Sequence, residues 1–432
     1  PNNSYTPRID DPRVGYFTTE VSDMTTKEPV NYKDLVHRWN LEKKDPSATL
    51  SEPVEPITWW IENTTPMEFR ESIKKGVLAW NVAFEKAGFK NAMAVKIQPD
   101  TASWDAGDIN YNVLRWTSST RPPFGGYGPS FVNPRSGQIL GADIMLEYIH
   151  HTYRVFYEKL FDLTTGQNYE ESFDPNQEPN SRFCSMGYLM QSNNLLGQAA
   201  LMTSDANSED LKGLQEEAMI ALIMHEVGHT LGLNHNMKAS QRFSPAELAN
   251  KELIKGQCLA GSVMDYTTIN LTLDPDDQGQ YYDVAVGPYD KWAIEFGYKP
   301  VSSDSELEKI LSRSTEPELI FGNDADDMRS PGKAIDPRVM VGDNSNDQIT
   351  YSIDRFKIVN NVMSKIKDKY TTEGESYQEL AQAYNMLMSN YANGGTVISR
   401  FIGGVYVDRA MAGQEGATMP YTPVAYADQK RA

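Results

Sequence analysis

Residues 225–235 read HEVGHTLGLNH, and the rest of the sequence is interpreted outward from this stretch. It follows the pattern H-E-x-x-H-x-x-G-x-x-H and contains three of the six histidines in the chain. Just upstream, residues 218–224 are apolar without interruption, which predicts a helix that is buried nearly all round. Because His225 and His229 are four residues apart, they lie on one face of that helix.

Histidine and glutamate side chains at the end of a buried helix need a partner, and a metal ion provides one. We expect Gly232 to end the helix in a left-handed conformation, so that the chain turns back and His235 reaches the same ion as His225 and His229. Three neutral nitrogen ligands leave one position on Zn²⁺ for water, whose pKa the metal lowers to near 7. Glu226, beside the first ligand, is placed to accept the proton as a general base.

Two structural interpretations of the three histidines remain open at this stage. They could be buried side chains satisfied by ordinary hydrogen bonds, or they could hold a structural zinc ion closed by a fourth ligand such as Cys258. The first leaves the repeated spacing unexplained, and the second leaves Glu226 without a role. The chain has one other cysteine, Cys184, and the sequence does not decide whether the two form a disulfide. The pattern favours a catalytic zinc site.

The histidine motif, followed by SVMDY at residues 262–266, resembles the metzincin clan of zinc endopeptidases. In that clan a methionine turn forms an apolar floor beneath the zinc, which implies this role for Met264. The spacing from Met264 to Tyr266 is similar to that of the astacin and serralysin branches, where the tyrosine binds zinc or stabilises the oxyanion. The chain departs from the named branches at Asn236, where matrixins have serine and astacins have glutamate.

The resemblance also implies a strand that binds substrate, because residues 126–147 resemble the clan's edge strand at the rim of the cleft and the strand paired with it. An extended peptide can add to such an edge through main-chain hydrogen bonds. A proline at this point is compatible with an edge or a strand end, since proline cannot donate to a sheet ladder. We expect residues 267–273 to line a medium-sized apolar pocket. The residues expected at the substrate-binding edge are Gly128, Pro129, Ser130, Phe131 and Val132.

The predicted elements run strand (residues 54–62), helix (66–88) and then several strands, which gives an α+β (mixed α/β) fold class. A helix around residues 150–163, which begins at His150 and His151, a loop over 164–181 and a helix from about 208 to 232 are expected to follow. The expected architecture is a zincin-like metzincin domain with a twisted sheet over the active-site helix, followed by a mostly helical C-terminal extension. We expect an arm or linker over residues 1–50, a catalytic domain over 51–300 with an upper subdomain (51–235) and a lower one (236–300), and the extension over 301–432.

Charge and hydropathy limit the partners of the chain. With 40 Lys and Arg against 59 Asp and Glu, the formal net charge is −19, which disfavours nucleic acid and anionic membrane surfaces. The longest apolar run has seven residues, so no membrane span is predicted. The chain also resembles large secreted bacterial metzincins of uncharacterised substrate. We therefore expect a processed piece of a secreted, periplasmic or cell-surface bacterial protein, whose N-terminal domain and targeting signal lie outside it.

These observations predict a zinc-dependent metallopeptidase, acting as an endopeptidase on a polypeptide substrate with one catalytic Zn²⁺. The alternatives are an inactive zinc-bearing module for binding or adhesion, and a zinc hydrolase of a non-peptide amide. Residues 274–279 and 343–347 begin like calcium loops but lack the required ligand spacing. A structural Ca²⁺ is therefore the weaker interpretation there, beside ordinary surface turns.

Overall fold

The computed structural model describes most of the chain, with its gaps concentrated between residues 120 and 207. Its described residues are 5–119, 126–147, 186–204, 208–324, 326, 335–374 and 376–432. The helix predicted near residues 150–163 and the loop predicted over 164–181 lie outside them, as do His150, His151 and Cys184.

A seven-stranded, mostly parallel sheet forms the centre of the fold. Its main path runs β3-β9-β6-β4-β5, all neighbours being parallel, while β7 and β8 both pair antiparallel with β9. Two small antiparallel pairs, β1 with β2 and β10 with β11, lie outside it. The strands are β1 (Thr18–Thr19), β2 (Leu35–Val36), β3 (Arg38–Trp39), β4 (Ile57–Ile61), β5 (Met93–Ile97), β6 (Asn112–Thr117), β7 (Gly126–Tyr127), β8 (Ser130–Val132), β9 (Gln138–Glu147), β10 (Val405–Val407) and β11 (Tyr421–Pro423).

Helices cover the sheet and are the main regular structure in the second half of the described chain. The single helix predicted from Pro66 to Gly88 is broken in two, and the sequence predicts neither α3 nor α7. The mixed α/β class and the helix-rich C-terminal part agree with the prediction. The helices are α1 (Met67–Leu78), α2 (Asn81–Lys86), α3 (Met186–Met202), α4 (Ser208–Thr230), α5 (Pro245–Leu248), α6 (Lys251–Ile254), α7 (Pro288–Tyr298), α8 (Asp304–Leu311), α9 (Gln348–Met363), α10 (Ile366–Lys369), α11 (Gln378–Ser399) and α12 (Tyr426–Arg431).

Helix α4, which carries the histidine motif, is held in the core by close packing against α1. Gly76 allows the two helices to approach, because a Cβ at this position would lie 2.7 Å from side-chain atoms of Ile223. Just beyond α1, the fully buried Trp80 donates from its indole nitrogen to the carbonyl oxygen of Met224, 3.0 Å away. Close packing at Gly76 and the hydrogen bond from the Trp80 indole therefore fix helix α4 immediately before His225.

The N-terminal segment packs into the same core as the sheet and helices. Val14 and Tyr16 are buried in the cluster that also contains the residues of α4. The Tyr16 hydroxyl donates to the carbonyl oxygen of Ala293 at 2.8 Å, and the Phe17 N–H donates to the carbonyl oxygen of Gly232 at 2.7 Å. The division into an arm, a catalytic domain and an extension stays a prediction. Among the described helices, none combines the length and apolarity needed to cross a membrane.

Candidate metal centre

The three histidines of the motif converge at the C-terminal end of α4. One nitrogen from each of His225, His229 and His235 can be chosen so that all three lie within 4.8 Å of one another. The first two residues come from the helix, and the third follows the turn at Gly232, whose φ of +96° is the left-handed conformation expected from the sequence. All three side chains are buried. Their spacing fits the coordination of a single metal ion.

Each imidazole is oriented by a hydrogen bond from its Nδ1 atom. Since Nδ1 faces an acceptor in every case, it carries the proton, and Nε2 is left as the unprotonated nitrogen, which is the form able to bind a metal. The Nε2 atoms of His225 and His235 are buried and have no hydrogen-bond partner among the described residues, which is the arrangement that a metal ion would satisfy. The acceptors are Val263 O for His225 (2.7 Å), Leu233 O for His229 (2.9 Å) and Asp324 Oδ2 for His235 (2.7 Å).

Burial also favours the neutral form of the two histidines on the helix. It lowers the pKa of His225 well below its ordinary value, helped by the neighbouring imidazoles. It lowers the pKa of His229 to about 3, with His235 as a further cause. Neutral imidazole is the form that coordinates a metal, so both side chains are in the form suited to metal binding at neutral pH.

Glu226 follows His225 in the chain and lies next to Gly128 of the predicted substrate-binding edge. Its side chain is fully buried. A Cβ added to Gly128 would lie 3.1 Å from the backbone oxygen of Glu226 and 3.5 Å from its Oε2 atom. The absence of a side chain at Gly128 therefore leaves room beside the carboxylate. The residues predicted as general base and as substrate-binding edge are therefore neighbours in the structure, and both roles stay predictions.

The predicted edge strand is present as β8 and is preceded by Gly128 and Pro129. Residues 130–132 pair with β9 on one side, with an irregularity in register between Phe131 and Val132. The carbonyl oxygen of Pro129 accepts from the N–H of Asp143 at 3.1 Å. No strand in the described part of the chain pairs with the other side of β8. That side offers main-chain groups to an extended peptide, and the binding role of this edge stays a prediction.

Met264 packs against Gly228 of helix α4, and Tyr266 lies against two of the histidine rings. Met264 is fully buried, and its Sδ atom occupies the space that a Cβ on Gly228 of the helix would enter. The Tyr266 ring centroid lies 5.3 Å from that of His225 and 4.7 Å from that of His235. The methionine thus packs on the helix between its two histidines, and the tyrosine is close enough to act at the centre.

Asp290, a residue that the sequence reasoning missed, fixes the methionine turn. Its carboxylate accepts hydrogen bonds from the hydroxyl of Ser262 and from the N–H groups of Val263 (3.0 Å) and Gly287 (2.7 Å). Burial raises the pKa of Asp290 to about 6. An acidic residue at the third position of helix α7, two residues after a proline at the first position, was the available signal. The N-terminal segment adds a second missed contact, since the Phe17 ring centroid lies 5.6 Å from that of His229.

The remaining sequence-based candidates lie apart from the histidine cluster. Cys258 is a buried free thiol and is not among the clustered ligands, so a fourth cysteine ligand has no support. The carboxylate of Asp274 caps a short 3₁₀ turn by accepting from the N–H of Asp276, as expected of a surface turn. The carboxylate of Asp343 accepts from the Ser240 hydroxyl at 2.7 Å. Neither calcium interpretation is supported.

Comparison with known proteins bears on this geometry. A family model described as Met-zincin matches residues 207–432, just over half of the chain, and this range includes α4, the third histidine and the methionine turn. A second model, described only as a domain of unknown function, matches residues 1–44. Neither the curated proteins nor the solved structures gave a match.

Proposed function

Because the chain belongs to the Met-zincin family, we propose that it is a zinc-dependent metallopeptidase that cleaves bonds within polypeptide chains. The observation that carries the proposal is the convergence of His225, His229 and His235, with the fully buried Glu226 following the first of them in the chain. A binding module needs the three ligands but gains nothing from a buried acid next to the first of them. A hydrolase needs both.

The donor set suits zinc. Three imidazole nitrogens with an open fourth position are typical of catalytic zinc sites. When bound, Zn²⁺ supplies a Lewis acid and lowers the pKa of a water molecule to near 7. We assign the ligand role to His225, His229 and His235, whose Nδ1 hydrogen bonds hold the rings in place before the ion arrives.

The protein side chains then divide the proton transfers and the charge stabilisation between them. Glu226 accepts a proton from the attacking water and later donates it to the leaving amine. The Tyr266 hydroxyl donates a hydrogen bond to the oxyanion as negative charge develops on the carbonyl oxygen. The peptide lies antiparallel or parallel to β8 and exchanges main-chain hydrogen bonds with residues 128–132. This arrangement recognises backbone, so sequence preference would come from side-chain pockets.

The experiment compares cleavage of a peptide library by the wild-type protein and by Glu226→Gln. We expect specific cleavage from the wild type that is lost with a chelator and restored by Zn²⁺, and a decrease of about 10²–10⁴-fold in the variant. A matched control is Glu216→Gln on the same helix, whose partly exposed side chain pairs with Lys212 at 3.6 Å. This control should cleave like the wild type.

The outcomes separate the proposal from its alternatives. Zinc binding with equal background cleavage from wild type and Glu226→Gln would contradict the peptidase proposal and favour an inactive binding module. Hydrolysis of small non-peptide amides without cleavage of any peptide would instead indicate an amidohydrolase that uses the same residues.

A further inference from the structure

The third histidine differs from the other two in the partner of its Nδ1 atom. His225 and His229 donate to backbone carbonyl oxygens, whereas His235 donates to the carboxylate of Asp324, with Nδ1 and Oδ2 2.7 Å apart. Asp324 lies 89 residues downstream of His235 and outside the histidine motif. A carboxylate is a stronger acceptor than a carbonyl oxygen, and it brings a negative charge next to the ligand.

We propose that Asp324 is a positioning residue for the metal centre, which fixes the tautomer and orientation of His235 and strengthens its Nε2 atom as a ligand. The inference rests on the proposed function, since it assigns Asp324 a role toward the same zinc ion. Outer hydrogen bonds of this kind orient metal-binding imidazoles and raise their basicity. Asp324 acts through His235 and does not touch the substrate.

The segment that carries Asp324, residues 320–324, is attached to the residue that follows His235. Asn236 is fully buried; its Nδ2 atom donates to the carbonyl oxygen of Ile320 at 3.0 Å, and its Oδ1 atom accepts from the N–H of Gly322 at 3.1 Å. The N–H of Met237 donates to the carbonyl oxygen of Gly322 at 2.7 Å. Asn236, the position at which the chain departs from matrixins and astacins, therefore holds residues 320–324 next to His235.

Asn236 also connects this segment to the methionine turn, because its N–H donates to the carbonyl oxygen of Met264 at 3.0 Å. On the other side of the segment, the Phe321 ring stacks on Tyr289 with centroids 6.0 Å apart, and the guanidinium of Arg409 lies over Phe321 at 5.3 Å. The segment is thus fixed from two directions by contacts that do not involve the metal. Its carboxylate is in place for His235 before an ion binds.

The test measures zinc affinity by competition with a chromophoric chelator for the wild type, Asp324→Asn and Asp324→Ala. We expect Asp324→Ala to weaken binding by about 10–100-fold. Asp324→Asn keeps an acceptor oxygen without the charge, so its loss should be smaller. The matched control is Asp326→Asn, two residues after Asp324 in the chain. This substitution breaks the ion pair between Asp326 and Arg409 and leaves His235 untouched. The control should bind zinc within about twofold of the wild type.

Two further readouts distinguish positioning from general damage to the fold. Substitution with Co²⁺ should give a visible absorption band that changes in the Asp324 variants and not in Asp326→Asn. The metal-free proteins should melt at the same temperature, since the Asp324 side chain is 43 % exposed and adds little to stability by itself.

Equal zinc affinity of the wild type and both Asp324 variants would overturn the inference while leaving the proposed function intact. An equal loss of zinc affinity in Asp326→Asn would overturn the inference as well. The loss would then result from displacement of residues 320–324 and not from the hydrogen bond between Asp324 and His235. If the wild type binds no zinc, the proposed function fails and the inference fails with it, which the wild-type titration alone reveals.

Discussion

Replacing Glu217 by glutamine should stabilise the folded chain above neutral pH and leave its stability nearly unchanged near pH 4. Glu217 lies on α4, eight residues before His225, and its Oε2 atom accepts from the N–H groups of Tyr281 at 2.6 Å and Tyr282 at 3.2 Å. Burial raises the pKa of Glu217 to about 7, against the opposing effect of these two hydrogen bonds. A glutamine oxygen can accept from the same groups without a charge to bury.

The size of the effect follows from the difference between the folded and unfolded pKa values. At about 1.4 kcal/mol per unit, a rise from 4.5 to about 7 corresponds to about 3 kcal/mol, and partial exposure of the side chain reduces this to about 2 kcal/mol. Below pH 4.5 both states hold the proton. As the pH rises, the unfolded chain releases its proton first, so stability falls between about pH 4.5 and 7 and then stays lower.

Urea denaturation of the metal-free protein between pH 4 and 8.5 measures this effect. The free energy of unfolding of Glu217→Gln should exceed that of the wild type by about 2 kcal/mol at pH 8 and match it near pH 4. Glu216→Gln, at the adjacent and more exposed position, should follow the wild type at every pH. A stability difference that does not vary with pH, or that has the opposite sign at pH 8, would refute the reasoning.

Three further substitutions test the centre itself. Tyr266→Phe should lower kcat with little change in KM, because its hydroxyl acts in the transition state; an unchanged kcat in steady-state kinetics would mean that the ring only packs. Gly232→Ala should cost more than about 2 kcal/mol in urea denaturation, since φ is +96° and a Cβ would collide with the His37 carbonyl oxygen. Gly228→Ala should lose about 1–3 kcal/mol because its Cβ would meet Met264; helix propensity alone predicts a gain of about 1 kcal/mol.

The histidine cluster could be predicted largely because its three residues lie within eleven consecutive positions of the sequence. The spacing of His225, His229 and His235 determines a helix face and a return turn, and the left-handed Gly232 supplies that turn as expected. The resemblance to metzincins and the mixed α/β class are confirmed by the family match and by the parallel sheet. The ligand, base and edge-strand roles, the location of the protein outside the cytoplasm and its substrate stay predictions.

The parts that escaped prediction depend on partners distant in sequence. Asp324 lies in an acidic, turn-rich stretch, where nothing local distinguishes one carboxylate from the next. Tyr16 lies in a polar segment that reads as an arm, and its burial depends on Ala293, 277 residues away. Helix α3 packs against both α4 and α11 and is apolar on more than one face, so it lacks a clear apolar stripe. The spacing of its apolar residues therefore does not identify it as a helix in the sequence.

The N-terminal segment also determines when the chain can be completed during synthesis. Arg13 pairs with Glu308, Gly15 with Tyr289, and Tyr16 with Ala293, so each contact spans more than 270 residues. A ribosome delivers the first members of these pairs long before the second, and contacts of such separation form slowly. A chain synthesised as far as residue 240 therefore contains all three histidines without the later residues that hold the N-terminal segment beside them. The contacts around the histidine cluster are therefore complete only after residue 308 has been synthesised, so the cluster assembles late in translation.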